Sequence, residues 1–239
     1  MTVFVLVHSP SVGPATWEPV AARLRQAGHT ALVPSLLDVG DGEPPYWRRV
    51  VTAVSAGISE LSPEQDITLV MHSNAGLFAP VLVTELTQLV TCCIFADATV
   101  PAMTGSTPMA EEAHLPFLRG LADQDGRLRR WTDWWSDEDV APMFPDPYTR
   151  EVVTNEQPRL PLRYYMEYVP APAGWDDRRC GYVIFSTAYE GDADRARALG
   201  WPVRTVRGEH LHQIVDPDGV TKAIVELAVE PAEQAGPEY

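Results

Sequence analysis

Short apolar runs alternate with stretches of helical period along the chain, and this alternation restricts the fold more than any other feature. Residues 3–8 (VFVLVH) form a continuous apolar run ending in turn residues, as expected of a strand buried on both faces. Trp17, Val20, Ala21 and Leu24 then recur at helical spacing, with Gly28 as a stop. Residues 31–33 read as a short strand. Pro44 and Pro45 open a helix through Trp47, Val50, Val51, Val54 and Ile58. Residues 67–71 (ITLVM) are the next strand, a helix follows over about 75–88, and residues 92–96 (CCIFA) are a strand again. The rhythm stops at Pro101 and resumes with 182–186 (YVIFS), a helix near 193–199, a strand at 203–206 and a helix from Pro217 to Val229. Such a series predicts a mostly parallel six-stranded sheet with helices on both faces and one insertion.

Composition narrows the function. Thirty-three acidic against 18 basic side chains give a formal net charge of −15. A field of that sign repels phosphate backbones and anionic bilayers, so nucleic-acid and membrane partners are not expected. The first eight residues carry no basic segment or cleavage site, and their apolar run is too short to span a bilayer. Cys92, Cys93 and Cys180 lack metal-ligand spacing, and Cys92 and Cys93, in an apolar run, read as buried thiols of a reducing cytosol. The expectation is a cytoplasmic protein, monomeric or homodimeric, with no metal and no cofactor.

In open α/β sheets, ligands bind beyond the carboxyl ends of the strands, so the residue after each strand carries the information. In order these are His8-Ser9, Pro34-Ser35, His72-Ser73-Asn74, Asp97, Tyr189-Glu190 and Glu209-His210. A hydroxyl, a carboxylate and a histidine on one edge are what a nucleophile, an orienting acid and a base require. The turn Met71-His72-Ser73-Asn74-Ala75-Gly76 is the sharpest signal. It passes from a buried strand into a helix, which lifts a hydroxyl clear of the sheet and offers helix N–H groups to a developing oxyanion. The usual pattern has glycine two residues before and two after the serine; here Met71 and Ala75 stand there, and Met71 implies a slightly opened turn.

With these residues in place, the chain resembles the α/β-hydrolase superfamily, within it the small methylesterase and hydroxynitrile-lyase type. The likeness runs through FVLVH with Gly13 and Trp17, AARLRQAGHTALVPSL, the His72-Ser73 turn, FADATVP at 95–101 and GEHLHQIVDPDGVTKAIVEL near the end. It implies the α/β-hydrolase fold, with Ser73 as nucleophile, His210 as base and the Asn74 backbone as one oxyanion donor. It also implies a core of residues 1–100 and 180–230, a cap or lid insertion of 101–179, and a flexible tail of 231–239.

Two departures bear on chemistry. The second oxyanion N–H of the family comes from the position of Pro10, and proline has none. Ser9, where the lyases carry a hydroxyl residue, is the replacement by side chain. The family's acid stands at the position of Tyr189, which leaves two candidates: Asp97, after the preceding strand, and Glu190, one residue along. Asp97 is preferred.

The insertion holds ten of the 22 prolines and four of the seven tryptophans. Trp131, Trp134, Trp135, Tyr164 and Tyr165 are the candidates to line an apolar or aromatic ligand site, other rings forming the insertion's own core. Asp133, Asp137, Glu138 and Asp139 read as a solvated face. The leading expectation is an esterase or thioesterase acting on an apolar or aromatic small molecule. The alternatives are a lyase, cyclase or dehydratase of secondary metabolism using the same residues for proton transfer, and a receptor-like ligand-binding protein.

Overall fold

The computed structural model describes residues 1–229; the tail expected at 231–239 lies outside them. Six parallel strands form the central sheet: β1 (Val3–Val7), β2 (Thr30–Leu32), β3 (Ile67–Ser73), β4 (Val90–Ala98), and two we number β7 (Arg179–Ile184) and β8 (Val203–Thr205). Their order is β2-β1-β3-β4-β7-β8. Two short strands, β5 (Gly105–Pro108) and β6 (Tyr168–Ala171), make a separate antiparallel pair.

Burial on both faces explains why β1 reads as a continuous apolar run. Side chains alternate across a strand. Accordingly Val3, Val5 and Val7 pack in one cluster, and Phe4 and Leu6 in the other. The first cluster lies under α2 (Tyr46–Gly57), α3 (Ala79–Glu85) and α7 (Glu190–Ala198), through Val50, Val54, Leu82 and Ala193. The second lies under α1 (Glu18–Gln26) and α9 (Pro217–Val229), through Val20, Leu24, Ile224 and Leu227. Each fully buried Leu, Val or Phe contributes roughly 1.5–3 kcal/mol by removal from water, so this two-sided core is the main source of stability.

The expected helix over 75–88 is divided. Asn74–Phe78 forms a 3₁₀ turn before α3 begins. Pro80, in the first turn of α3, has no N–H to return to the Gly76 carbonyl. That carbonyl takes the Ala79 N–H instead, a tighter i to i+3 closure.

Between β4 and β7 the chain also forms α4 (Leu115–Leu121), α5 (Asp137–Val140) and α6 (Pro147–Glu156). Its buried residues divide between two environments. Leu118, Leu128, Leu160, Tyr164, Val169 and Trp175 join the α2/α3 cluster of the sheet. Val140, Phe144 and Val153 make a small cluster of their own with Leu211 and Ile214, in and before α8 (His212–Val215). Among the described residues no helix is long and apolar enough to cross a membrane.

Chain order places the crevice. From β1 the chain crosses to β2 on one side and then to β3 on the other. The connections after β1 and β3 therefore diverge, and a cleft opens between them at the carboxyl edge. His8 to Val12 and Ser73 to Phe78 line that divergence.

Candidate active site

Ser73 ends β3 with φ +59° and ψ −130°. This conformation is costly for a residue with a Cβ, about 1–3 kcal/mol, and persists only where the surroundings impose it. They do so here. The Ser73 carbonyl accepts from Thr99 N–H at 3.2 Å, and the β3–β4 register shifts between His72 and Ser73. Gly76 has no Cβ to spare, because one built there would stand 2.3 Å from the Thr99 carbonyl oxygen. The turn is thus pressed against the exit of β4, and the serine hydroxyl is turned off the sheet.

The neighbouring strand ends in a second strained residue. Asp97 has φ +44° and is fully buried. Its Oδ1 accepts from Phe185 N–H and Ser186 N–H, both at 3.0 Å. Its Oδ2 accepts from the Ser186 hydroxyl at 2.6 Å and from His210 Nδ1–H at 2.7 Å. Burial alone would raise the pKa of this carboxyl. The hydrogen bond and charge of His210, with the Ser186 donors, outweigh burial and hold it below the ordinary value. His210 Nε2 lies 3.0 Å from Ser73 Oγ. Nδ1 donates to the carboxylate, so Nε2 is the acceptor for the serine proton.

Three rings hold the imidazole. Tyr189 stacks on it at 4.9 Å and 7°, His72 lies at 4.6 Å and 30°, and Trp131 at 5.7 Å. His72 Nε2–H donates to the His210 carbonyl at 2.9 Å, so it ties down the backbone that carries the His210 ring. Burial first, then the nearby His210, lowers the His72 pKa to about 3. His72 therefore stays neutral beside His210.

Glu190 is not part of this arrangement. It opens α7 and pairs with Arg207 at 2.6 Å. One residue beyond Tyr189, the helix start turns it to the surface, so the two candidate acids separate: Asp97 meets His210 and Glu190 does not.

The loop after β1 closes on itself. The Ser9 carbonyl accepts from Val12 N–H at 3.0 Å across a turn with Pro10 at its corner, and Ser11 N–H points to Ser9 Oγ at 3.4 Å. Of residues 10–12, the first has no N–H and the other two direct theirs within the loop. His8 tightens the same loop. Its Nδ1–H donates to the Ser9 carbonyl at 2.8 Å and its Nε2 accepts from Leu36 N–H at 3.0 Å. Asn74 is differently placed: as first residue of the 3₁₀ turn its N–H has no acceptor within the helix. Among the described residues, no group of three His, Cys, Asp or Glu is arranged to hold a metal ion.

A serine, a histidine and an aspartate joined by hydrogen bonds at the edge of a parallel sheet agree with what sequence comparison finds. The profile of the alpha/beta hydrolase family matches residues 4–224. The chain belongs to the alpha/beta hydrolase family. No curated protein matches this chain in sequence. Solved structures similar in fold include an extracellular alpha/beta-hydrolase from a Paenibacillus species, described as sharing homology with tobacco salicylic acid binding protein 2 (TM-score 0.75, 16% identity, 96% of this chain and 100% of that one). Tomato methylketone synthase I is another, in its H243A variant with β-ketoheptanoate (0.70, 15%, 95% and 97%), and polyneuridine aldehyde esterase a third (0.67, 14%, 95% and 99%).

The five aromatics expected to line a ligand site stand at different distances from the Ser73–His210–Asp97 chain. Trp131 packs against His210 itself. Tyr164 is fully buried and its hydroxyl donates to Asn74 Oδ1, while Asn74 Nδ2 donates to the Met109 carbonyl at 3.0 Å. The Tyr165 hydroxyl meets Ser11 Oγ at 2.7 Å. Trp134 packs edge-on to Tyr165, one layer further out. Trp135 is 45% exposed and stacks on the equally superficial Phe117, away from the centre. It turns outward because Trp134, its neighbour on the chain, occupies the inward position.

Three residues near the centre were given no role from the sequence. Ser186 supplies two donors to Asp97, and Ser11 ties the β1 loop to Tyr165. The Tyr189 hydroxyl lies 3.2 Å from Ser73 Oγ. Tyr189 alone stood among the residues noted after the strands, at the position of the family's acid, and no role was assigned to it.

Proposed function

We propose that this hydrolase cleaves carboxylic esters or thioesters of an apolar or aromatic small molecule, with Ser73 as nucleophile, His210 as base and Asp97 as orienting acid. The observation that carries the reading is the continuous chain from Ser73 Oγ to His210 Nε2 at 3.0 Å and from His210 Nδ1 to Asp97 Oδ2 at 2.7 Å. In the first step Ser73 Oγ bonds to the carbonyl carbon and its proton passes to His210. The Asp97 carboxylate stabilises the imidazolium and keeps its orientation. The Asn74 N–H, at the start of the helical turn, donates to the oxygen that gains charge. Collapse expels the alcohol or thiol with the proton from His210, and water repeats the sequence on the acyl group. The Ser9 hydroxyl, whose oxygen accepts from Ser11 N–H, is the side-chain donor on the β1 side through its own proton. Trp131, Tyr164, Tyr165 and Trp134 belong to segment 101–179, which acts as the cap over the acyl group. The buried thiols Cys92, Cys93 and Cys180 accord with a cytoplasmic setting.

A fluorophosphonate probe tests the reading. The expected result is one adduct on the intact protein, lost in Ser73→Ala, and turnover of p-nitrophenyl esters at neutral pH. An unlabelled wild-type protein rules out the acyl-enzyme.

One observation favours a second reading, proton-transfer chemistry of the lyase or cyclase kind. The N–H groups of Ser11 and Val12 are directed within their own loop and Pro10 has none, which weakens the hole that acyl transfer needs. A methylketone synthase and an esterase both stand among the similar folds. Labelling of Ser73 without ester turnover would select the second reading.

A further inference from the structure

Tyr189 brings a second hydroxyl to the nucleophile. Its ring lies flat on His210, and its phenol oxygen is 3.2 Å from Ser73 Oγ. The serine proton is directed to His210 Nε2 at 3.0 Å, so in the Tyr189–Ser73 pair the phenol is the donor and Ser73 Oγ the acceptor. Burial raises the Tyr189 pKa and the nearby Asp97 charge raises it further, against the lowering effect of the Ser73 hydrogen bond. The phenol is therefore protonated across the neutral range and is a donor at every pH where His210 works as a base.

The β1 loop leaves a deficit at the same place. Proline at position 10 and the two internally directed N–H groups remove backbone donation from that side of the cleft. Loss of one such donor costs acyl transfer about 10²–10³-fold. When a carbon bonds to Ser73 Oγ, its other oxygens lie close around Oγ, within the region the phenol already addresses. The stack on His210 holds the phenol there without a rearrangement, so little ordering entropy is lost during reaction.

We propose that Tyr189 is a catalytic residue whose phenol donates a hydrogen bond to an oxygen of the tetrahedral adduct on Ser73, in place of the N–H that the β1 loop lacks. The proposal rests on the reading of Ser73 as nucleophile. In the step it assists, the Oγ–C bond forms, the serine proton moves to His210, and the π pair of the carbonyl moves onto its oxygen. On collapse that pair re-forms the carbonyl, the bond to the leaving oxygen or sulfur breaks, and the leaving atom takes the proton from His210. Tyr189 keeps its own proton throughout.

The test is Tyr189→Phe, which retains the ring stack on His210 and removes only the hydroxyl. Two readouts are compared with wild type: p-nitrophenyl butyrate kinetics, and the second-order rate of fluorophosphonate labelling, which also builds charge on an oxygen of the adduct. The expected result is a fall in kcat of about 10²-fold with KM within about two-fold, and a parallel slowing of labelling. The acid limb of the pH–rate profile and the melting temperature stay where they are. An undiminished labelling rate in Tyr189→Phe overturns the role of Tyr189 alone, whether or not the wild type turns the ester over. So does a loss accompanied by a shifted acid limb, since Tyr189 would then act through His210. A wild-type protein that does not label overturns the Ser73 reading and this role with it.

Discussion

The two loops that flank the cleft, after β1 and after β3, are built on opposite principles. Each begins with a fully buried histidine, His8 and His72. His8 uses both ring nitrogens to draw the β1 loop shut, on the Ser9 carbonyl and the Leu36 N–H. His72 uses one, reaching across to the His210 carbonyl; among the described residues its Nδ1 is buried without a hydrogen-bond partner. The β1 loop completes a turn at Pro10 and directs the Ser11 and Val12 N–H groups to Ser9. The β3 loop holds Ser73 in a strained conformation and starts a helical turn whose first N–H has no acceptor within the helix. One loop closes its N–H groups on itself, and the other sends its polar side chains across to neighbouring segments. A polar group left unpaired is costly in a core, and at the mouth of a cleft that cost becomes an interaction available to the transition state.

The largest effect should come from the β3–β4 side. Asp97→Asn removes the acceptor that fixes the His210 tautomer, and kcat for p-nitrophenyl butyrate should fall about 10⁴-fold with little change in KM. Glu190→Gln, which touches only Arg207 in the pairings described, should stay within about two-fold of wild type. Equal losses in the two variants would remove the distinction between the acids.

Gly76→Ala asks whether the strained turn is imposed by β4. The added Cβ meets a backbone oxygen, which cannot swing away. A loss of about 1–3 kcal/mol in urea unfolding is expected, with loss of turnover. An unperturbed variant would mean that the turn is not held against Thr99.

Acid titration compares the two histidines. Burial lowers the pKa of His8 from 6.5 to about 4 and that of His72 from 6.5 to about 3. Between pH 6.5 and about 4 the unfolded chain therefore binds up to two more protons than the folded one. Stability falls as the pH drops through this window, by about 3 kcal/mol per unit at its steepest. Asp97 adds loss in the same direction at lower pH, since its pKa is lowered in the fold. His72→Gln should reduce the slope in urea unfolding curves by about one proton; an unchanged slope would show that His72 does not titrate with unfolding.

The smallest effect concerns the β1 loop itself. Pro10→Ala restores an N–H where the loop has none and should raise kcat by about ten-fold, a part of what one oxyanion donor contributes. Its stability cost should stay below about 1 kcal/mol, from greater freedom of the unfolded chain. If kcat does not rise, the closed loop is not what limits ester turnover.

How much of this was legible in advance differs by element. The buried runs at β1, β3 and β4 were plain because a strand covered on both faces has to be apolar at every position. Ser73, Asp97 and His210 could be named as candidates because each stands within a few residues of a strand's carboxyl end, where a parallel sheet presents its polar side chains. Trp135 and Glu190 were misplaced because neighbours in sequence diverge at a helix start or a bend, and no periodicity records that direction. Ser186 and Ser11 went unremarked because a short hydroxyl residue in a turn looks the same whatever it serves.

By itself, then, the sequence determined the parallel sheet, the order of the polar strand ends and the proline that interrupts the β1 loop. These follow from covalent facts and from which side chains tolerate water. Only the tertiary structure decided which acid meets His210, where the β1 N–H groups point and that Tyr189 reaches Ser73. The first and last of these join residues more than a hundred positions apart, with geometry set by how β3, β4 and β7 pack side by side, and the second depends on how a short turn closes on Ser9.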